Sequence, residues 1–191
     1  MAESKELAER SHHLLADARF MTLATIDGNE PWASTVNFVA LHQPLRLLYY
    51  SLLTARHSLN VENNPLVSGS IYMTGLPGFG LDGAQFTGHC HAVGSDQLAE
   101  AHRTYYELNF PDEDTRREWL LPRSEFHGTG PRRFYVVRVR HWWLLDIDRW
   151  LTDKHDQRIE VPVQALRLLE NRTSGASGRS SGGTPSRAKP E

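Results

Sequence analysis

The chain has 191 residues, a formal net charge of −2 and one cysteine, Cys90. This length allows a single domain with a core of ordinary size. The near-zero charge, without a concentrated basic stretch, argues against nucleic acid as the main partner. One cysteine excludes an intrachain disulfide framework, as expected for the reducing cytoplasm. Residues 1–10 are charged rather than apolar, and no apolar run could span a bilayer, so we expect a cytoplasmic protein without a membrane partner.

The first fifty residues predict one helix followed by antiparallel strands. Ser4 can cap a helix over 4–18, in which apolar residues recur at helical spacing. The sequence Asp27-Gly28-Asn29 is typical of a tight hairpin turn, because these residues tolerate positive φ. Strands are predicted on both sides of this turn and after a second, proline-containing turn, over 19–26, 32–41 and 45–51.

The junction after the third strand is the stretch of greatest functional interest. A short helix is predicted over 54–64. Two hydroxyls, a guanidinium and an imidazole lie where it begins: Ser51, Thr54, Arg56 and His57. Helix starts favour anions, and an arginine fork fits phosphate oxygens in pairs. We interpret the junction as a phosphate-binding corner. The alternative is that Thr54 only caps the helix and Arg56 is a solvated charge.

The next two strands, predicted over 66–73 and 84–93, enclose a segment with four glycines and a proline over 74–83. Its glycine spacing differs from that of a nucleotide-binding fingerprint. We therefore predict a long, mobile hairpin connection, which either closes over a substrate or has no function. Alternation along the second strand places four polar side chains on one face: Gln85, Thr87, His89 and His91. This face suits a polar pocket or a solvated surface. We predict no metal site, because no carboxylate or cysteine shares the face.

The last third of the chain predicts two helices, one capped by Ser95 and one over 112–121, and then a loop over 123–133. A long strand follows over 134–145, and tryptophans cluster near its end. From residue 173 onward Ser, Gly, Pro, Arg and Lys dominate, which is typical of disorder. Closely spaced strands with few helices between them predict a small barrel with peripheral helices.

Three local patterns resemble the flavin-binding split-barrel proteins related to pyridoxamine 5′-phosphate oxidase. They are ATIDGNEPWASTVNFV, LYYSLLTARHSLNVENNPLVSGSIY and GAQFTGHCHAV, which are similar to the family's opening hairpin, strand-to-helix junction and glutamine-bearing strand. The likeness covers residues 17–148. It implies a mainly β fold with peripheral helices (α+β), in the form of a six-stranded antiparallel split β-barrel. We expect one domain over 1–171 and a disordered tail over 172–191.

The resemblance also implies a set of FMN-binding residues. Ser51, Arg56 and His57 fall where the family holds the cofactor phosphate, although many members have lysine at the position of His57. The run from Ser34 to Asn37 follows the isoalloxazine edge, and Gln85 matches a flavin-contacting glutamine. The full set is Ser34, Thr35, Val36, Asn37, Tyr50, Ser51, Thr54, Arg56, His57 and Gln85. We assign no catalytic residue.

Three functions remain open at this stage. The first is an FMN-dependent oxidoreductase acting on a small organic molecule. The second is a binding protein for flavin or a deazaflavin coenzyme, without catalysis. The third is a haem-binding or haem-degrading relative, which is suggested by the ten histidines. The resemblance further implies a homodimer with the flavin between the subunits. A group of aromatic residues supports this, because one small barrel is not expected to bury them all: Phe134, Tyr135, Trp142 and Trp143.

Overall fold

The structure, a computed structural model, describes residues 2–74 and 82–167. Most of the hairpin connection predicted over 74–83 lies outside the described residues, as does the whole tail predicted over 172–191. Five α-helices lie within the described part: Ala2–Asp17 (α1), Arg56–Asn63 (α2), Leu98–Asn109 (α3), Glu113–Trp119 (α4) and Ile147–Asp153 (α5). None of these five has the length and apolarity needed to cross a bilayer.

The described residues form one antiparallel sheet of eight strands. The strands are Phe20–Asp27 (β1), Glu30–Asn37 (β2), Val39–His42 (β3), Leu45–Leu52 (β4), Leu66–Met73 (β5), Asp82–Ala92 (β6), Arg132–Leu145 (β7) and Arg158–Glu160 (β8). Their order across the sheet is β2-β1-β5-β6-β7-β4-β3, and β8 pairs with β7. The mainly β class of split-barrel type with peripheral helices is therefore confirmed, but the strand count is eight rather than the predicted six.

The additional strands have two origins. First, the run predicted as one strand over 32–41 divides at Phe38 into β2 and β3. Second, β8 has only three residues, which are too few to show a period of two in the sequence. Before Phe38 the chain pairs with β1, with Asn37 opposite Phe20. After Phe38 it pairs with β4, with Val39 opposite Leu48. The chain thus passes from one end of the strand order to the other, and this change of partner curls the sheet into a barrel.

The change of partner opens a gap between β2 and the end of β4. If the register of β3 against β4 continued, Val36 would lie opposite Ser51. Instead, Val36 pairs with Met21 of β1, and Ser51 pairs with Arg133 of β7. The two strands therefore separate at this level, and the start of α2 occupies the space between them.

Two hydrophobic clusters stabilise the barrel. The larger cluster fills the inside of the sheet beneath α1, where Leu23, Leu47 and Trp142 are fully buried. The smaller cluster lies on the other face of β4 and β7, where α3 and a 3-10 turn at Arg123–Phe126 cover Phe134.

The aromatic argument for a dimer is wrong, because these side chains are buried within one chain. Phe134 and Tyr135 are each 1% exposed, Trp142 is 0% exposed, and Trp143 is half-buried. The inside of the barrel takes up Tyr135 and Trp142, and a second layer formed by α3 and the following turn, which the sequence argument did not count, covers Phe134.

Gly69 provides a test of the close packing inside the barrel. A Cβ added at Gly69 would overlap the Phe86 ring and the carbonyl oxygen of Thr22. We expect Gly69→Ala to lower the free energy of unfolding by about 1–3 kcal/mol, the range for overpacking a filled core. Urea unfolding of the variant measures the loss. The exposed neighbour Ser68 is the control, and Ser68→Ala should change stability by less than about 0.5 kcal/mol. Equal effects at both positions would contradict the packing at Gly69.

Candidate functional site

The candidate site lies at the start of α2, which occupies the gap between β2 and β4. The helix begins at Arg56, with Ala55 as its N-cap residue and no side-chain cap. Thr54 is exposed and does not cap it, so the alternative role given to Thr54 is wrong. The Asn60 side chain, which is 2% exposed, donates to Thr25 Oγ1 of β1 at 3.0 Å and fixes the helix against the barrel.

His57 bridges the two strands that separate. Its Nδ1 lies 3.0 Å from Ser34 Oγ on β2, and its Nε2 lies 2.8 Å from Ser51 Oγ on β4. The residue is only 9% exposed. Burial lowers the pKa of His57 below its ordinary value, because the charged imidazolium loses hydration. The imidazole is therefore neutral near pH 7 and hydrogen-bonded at both nitrogens.

These hydrogen bonds extend into a chain that starts at Trp32. The Trp32 indole N–H donates to Ser34 Oγ at 3.0 Å. A neutral imidazole has one donor and one acceptor, so two tautomers satisfy the chain. With the proton on Nε2, Ser51 accepts from the ring and keeps its own O–H for a further acceptor. With the proton on Nδ1, Ser51 donates to the ring. An anion beside Ser51 would favour the first tautomer.

Arg56 lies at the edge of the same corner, where two contacts hold its partly exposed side chain. Its guanidinium stacks over the Trp32 ring, with Cζ 4.6 Å from the ring centroid. Its Nη2 pairs with Glu30 Oε2 at 2.5 Å. The side chains of Arg56 and Glu30 are 40% and 77% exposed, so this pair is screened by solvent. Any anion at the corner must therefore share Arg56 with Glu30.

The structure thus brings together four of the predicted residues, Ser34, Ser51, Arg56 and His57. Sequence reasoning missed Trp32 and Glu30. The signal for Trp32 was present, because the period of two along β2 places Trp32 on the same face as Ser34.

Three other predicted residues turn their side chains into structural contacts. Val36 lies in the larger core cluster. Tyr50 lies on the opposite face of β4 from Ser51 and packs in the smaller cluster. Asn37 Oδ1 accepts from Tyr105 Oη at 2.7 Å and from Asn109 Nδ2 at 2.5 Å. These side chains stabilise the barrel around the bend at Phe38.

Thr35 and Gln85 lie on the outer face of the sheet, away from His57. Thr35 is opposite Thr22, Thr22 is opposite Ser70, and Ser70 is opposite Gln85. They form one polar row across β2, β1, β5 and β6. The same outer face carries three large exposed apolar side chains: Phe20 at 57%, Leu66 at 57% and Tyr72 at 55% exposure.

The histidines and the cysteine of β6 do not form a second reactive cluster. The rings of His89 and His91 are 6.3 Å apart, and no group of three metal-ligating side chains occurs within residues 2–74 and 82–167. Cys90 is fully buried, and burial raises its pKa to about 12, so it is not a thiolate nucleophile at neutral pH.

Comparison with known proteins agrees with this architecture. The sequence profile described as pyridoxamine 5′-phosphate oxidase matches residues 7–146. The chain belongs to this family. The family's split-barrel fold, with its strand-to-helix junction, is the arrangement that surrounds His57, so the resemblance drawn from the three local patterns is confirmed.

Individual relatives are similar to only part of the chain. The UPF0306 protein PM1958 of Pasteurella multocida is 32% identical over 84 residues, which is 44% of this chain and 56% of that protein. A heme binding protein from Mycobacterium smegmatis superposes with a TM-score of 0.60 at 17% identity, over 84% of this chain and 59% of that chain. A FAD-binding protein from Mesorhizobium loti has a TM-score of 0.53 at 14% identity, over 69% and 88% of the two chains. At these identities the two structures show a shared fold.

The buried bridge at His57 predicts a specific dependence of stability on pH. The folded-state pKa of His57 is lowered, so below pH 6.5 the unfolded chain binds a proton that the folded chain does not. The stability that comes from neutral His57 is complete above about pH 7 and is lost as the pH falls through 6.5 towards the lowered value. The advantage of wild type over His57→Gln, measured by urea unfolding, should therefore shrink between pH 7.5 and pH 5. The exposed Ser68→Ala, which removes no titratable group, is the control and should show a constant difference. An advantage that grows at low pH would contradict the neutral bridge.

Proposed function

We propose that the protein is an FMN-dependent oxidoreductase that acts on a small organic molecule. The observation that carries this proposal is the His57 bridge between Ser34 and Ser51, with Arg56 held over Trp32 at the same corner. Membership of the pyridoxamine 5′-phosphate oxidase family supports it, and so does the likeness to a FAD-binding protein.

The donors at the corner fit a phosphate group. The Ser51 hydroxyl, the two-pronged guanidinium of Arg56 and the start of α2 all favour negative charge. A neutral His57 supplies less positive charge than the lysine found in many relatives. A phosphate dianion beside Ser51 would raise the proton affinity of His57, and the protonated imidazole would then supply part of the positive charge that a lysine provides. In this proposal Ser34 and Trp32 hold the imidazole in place and do not bind the phosphate themselves.

The ring of the cofactor is proposed to follow β2 away from this corner. Of the residues expected at the isoalloxazine edge, Thr35 has an exposed side chain, whereas Val36 and Asn37 have theirs committed to internal packing and hydrogen bonds. Val36 and Asn37 are therefore proposed to contribute main-chain groups. Tyr50 supports the end of β4 from its other face, and Thr54 lies exposed in the turn before α2.

A homodimer would use the outer face that bears Phe20, Leu66 and Tyr72. Apolar side chains of this size, gathered on one sheet face, are typical of a surface that is covered by a partner. Gln85 lies on that face and not at the corner of its own chain. We propose that Gln85 contacts the flavin held by the second copy.

The bound flavin would supply the hydride or electron chemistry. The residues of this chain would bind and orient it and exclude water from it. The corner contains no pair of carboxylates, and Cys90 is buried, so we assign no acid, base or nucleophile. A buried thiol also fits a protein working in the cytoplasm.

A haem-binding role is the second candidate. It is supported by the likeness to the heme binding protein from Mycobacterium smegmatis and by the partly exposed pair His89 and His91 on β6. A carrier of flavin or of a deazaflavin coenzyme is the third.

The visible spectrum of the purified protein separates these functions. We expect bound flavin with absorbance bands near those of free FMN, in a sample that sedimentation velocity identifies as a dimer. Reduction of this flavin by a candidate substrate would then distinguish an enzyme from a carrier. A Soret band would favour haem, and a band characteristic of deazaflavin would favour the carrier. A colourless monomer that binds no added FMN would contradict the proposal.

Arg56→Ala tests the phosphate corner directly. Loss of a charge-assisted hydrogen bond should weaken FMN binding by about 1.5–3 kcal/mol, which is roughly 10- to 150-fold in Kd. Fluorescence titration of FMN, with riboflavin as the ligand lacking phosphate, measures the effect. Riboflavin affinity should change little.

Two control variants accompany this measurement. Glu30→Gln removes the carboxylate that competes for Arg56 and should leave FMN binding equal or tighter. The exposed Arg103→Ala, on α3, should have no effect. FMN affinity that is unchanged in Arg56→Ala would remove the phosphate assignment.

A further inference from the structure

A groove of about 920 Å³ lies at the opposite end of β4 from Ser51. The end of α1, the edge strand β3 and the end of α3 form its walls. None of the described corner residues lines it. Its apolar surface comes from half-buried or exposed side chains of β3, of α3 and of the segments that follow α1 and α3: Ala18, Ala40, Leu41, Leu108 and Pro111.

Arg46 of β4 is the arginine of this groove for which the described residues provide neither a counter-ion nor a hydrogen-bond acceptor. Its Nε atom is buried and has no hydrogen-bond acceptor. No ion pair or hydrogen bond of Arg46 occurs within residues 2–74 and 82–167. A shielded guanidinium nitrogen without an acceptor loses its hydration without forming a hydrogen bond, and this raises the free energy of the folded state.

The other half-buried arginines of the described chain differ from Arg46 in this respect. Each of them donates to a carboxylate or to a main-chain carbonyl oxygen. They are Arg10 with Asp82, Arg116 with Phe110, Arg132 with Glu125 and Arg133 with Gly128. Among residues 4–74 and 82–166, the other arginines without a hydrogen-bond or ion-pair partner are exposed to solvent: Arg103, Arg123, Arg138 and Arg140.

The cross-strand neighbours of Arg46 supply no negative charge to balance its guanidinium. Its cross-strand neighbour on β7 is Arg138, so two positive side chains lie opposite each other. Its neighbour on β3 is Leu41, which has no charge to offer. Arg19, also on the groove wall, donates to the main-chain oxygen and the side-chain oxygen of Asn109. Asp17 is the acidic residue of the lining, and it is exposed and unpaired with Arg46.

We propose that this groove binds a small organic molecule that carries one carboxylate. The planar guanidinium of Arg46 donates to a carboxylate in a two-pronged geometry through Nη1 and Nη2, which unlike Nε are not shielded. The apolar body of the ligand lies against Leu41, Leu108 and Pro111. The site is separate from the proposed flavin corner and does not depend on it.

Binding of 2-naphthoate and of its neutral analogue 2-naphthamide, measured by calorimetry at about 0.15 M salt, tests this proposal. Wild type should bind naphthoate at least about tenfold more tightly than the amide, the scale for a hydrogen bond to a charged group. Arg46→Met should abolish this preference while leaving the amide affinity unchanged. Arg46→Lys, which keeps the charge but loses the fork, should retain part of it.

Arg138→Met is the matched control, because it removes the neighbouring charge outside the groove and should keep the preference for naphthoate. Thermal unfolding confirms that each variant is folded. Absence of naphthoate binding would overturn the proposal. So would equal affinity for the acid and the amide, or the same loss of preference in Arg46→Met and Arg138→Met.

Discussion

The architecture of the site depends on a buried imidazole held between two strands that do not pair. At Phe38 the chain stops pairing with β1 and begins to pair with β4. The ends of β2 and β4 separate at this point, and backbone hydrogen bonds no longer join them. His57 replaces this missing pairing with two side-chain hydrogen bonds, to Ser34 and to Ser51. A buried polar ring is tolerated there because both of its nitrogens are satisfied.

The chemistry of imidazole explains what this arrangement offers beyond stability. A neutral histidine both donates and accepts, so it links the Trp32–Ser34 pair to Ser51 in one chain of hydrogen bonds. A lysine ammonium has three donors and no acceptor, so it could not accept from Ser34. Because the imidazole of His57 is neutral, the corner carries less positive charge than it would with a lysine at this position. Arg56, shared with Glu30, is then the permanent cation at the edge of the corner.

Much of the fold was readable from alternation and turn chemistry, and the errors have identifiable physical causes. The period of two correctly separated the two faces of β6, and the structure places Phe86 inside and the polar Gln85 outside. It could not show that one strand changes partner at Phe38, because alternation records which face is buried and not which strand is adjacent. The dimer argument from Phe134 failed for a related reason, since the covering layer comes from α3, which is distant in sequence.

The sequence by itself determined the class of fold, the strand-to-helix junction and the residue types of the proposed phosphate corner, because these follow from local periodicity, turn residues and side-chain chemistry. Only the tertiary structure decided which residues meet. It joined Ser34 to Ser51 through His57, added Trp32 and Glu30, turned Tyr50 away, and left Arg46 without an acceptor. Contacts between residues far apart in the chain depend on how strands pair and helices pack, and no local pattern records that pairing.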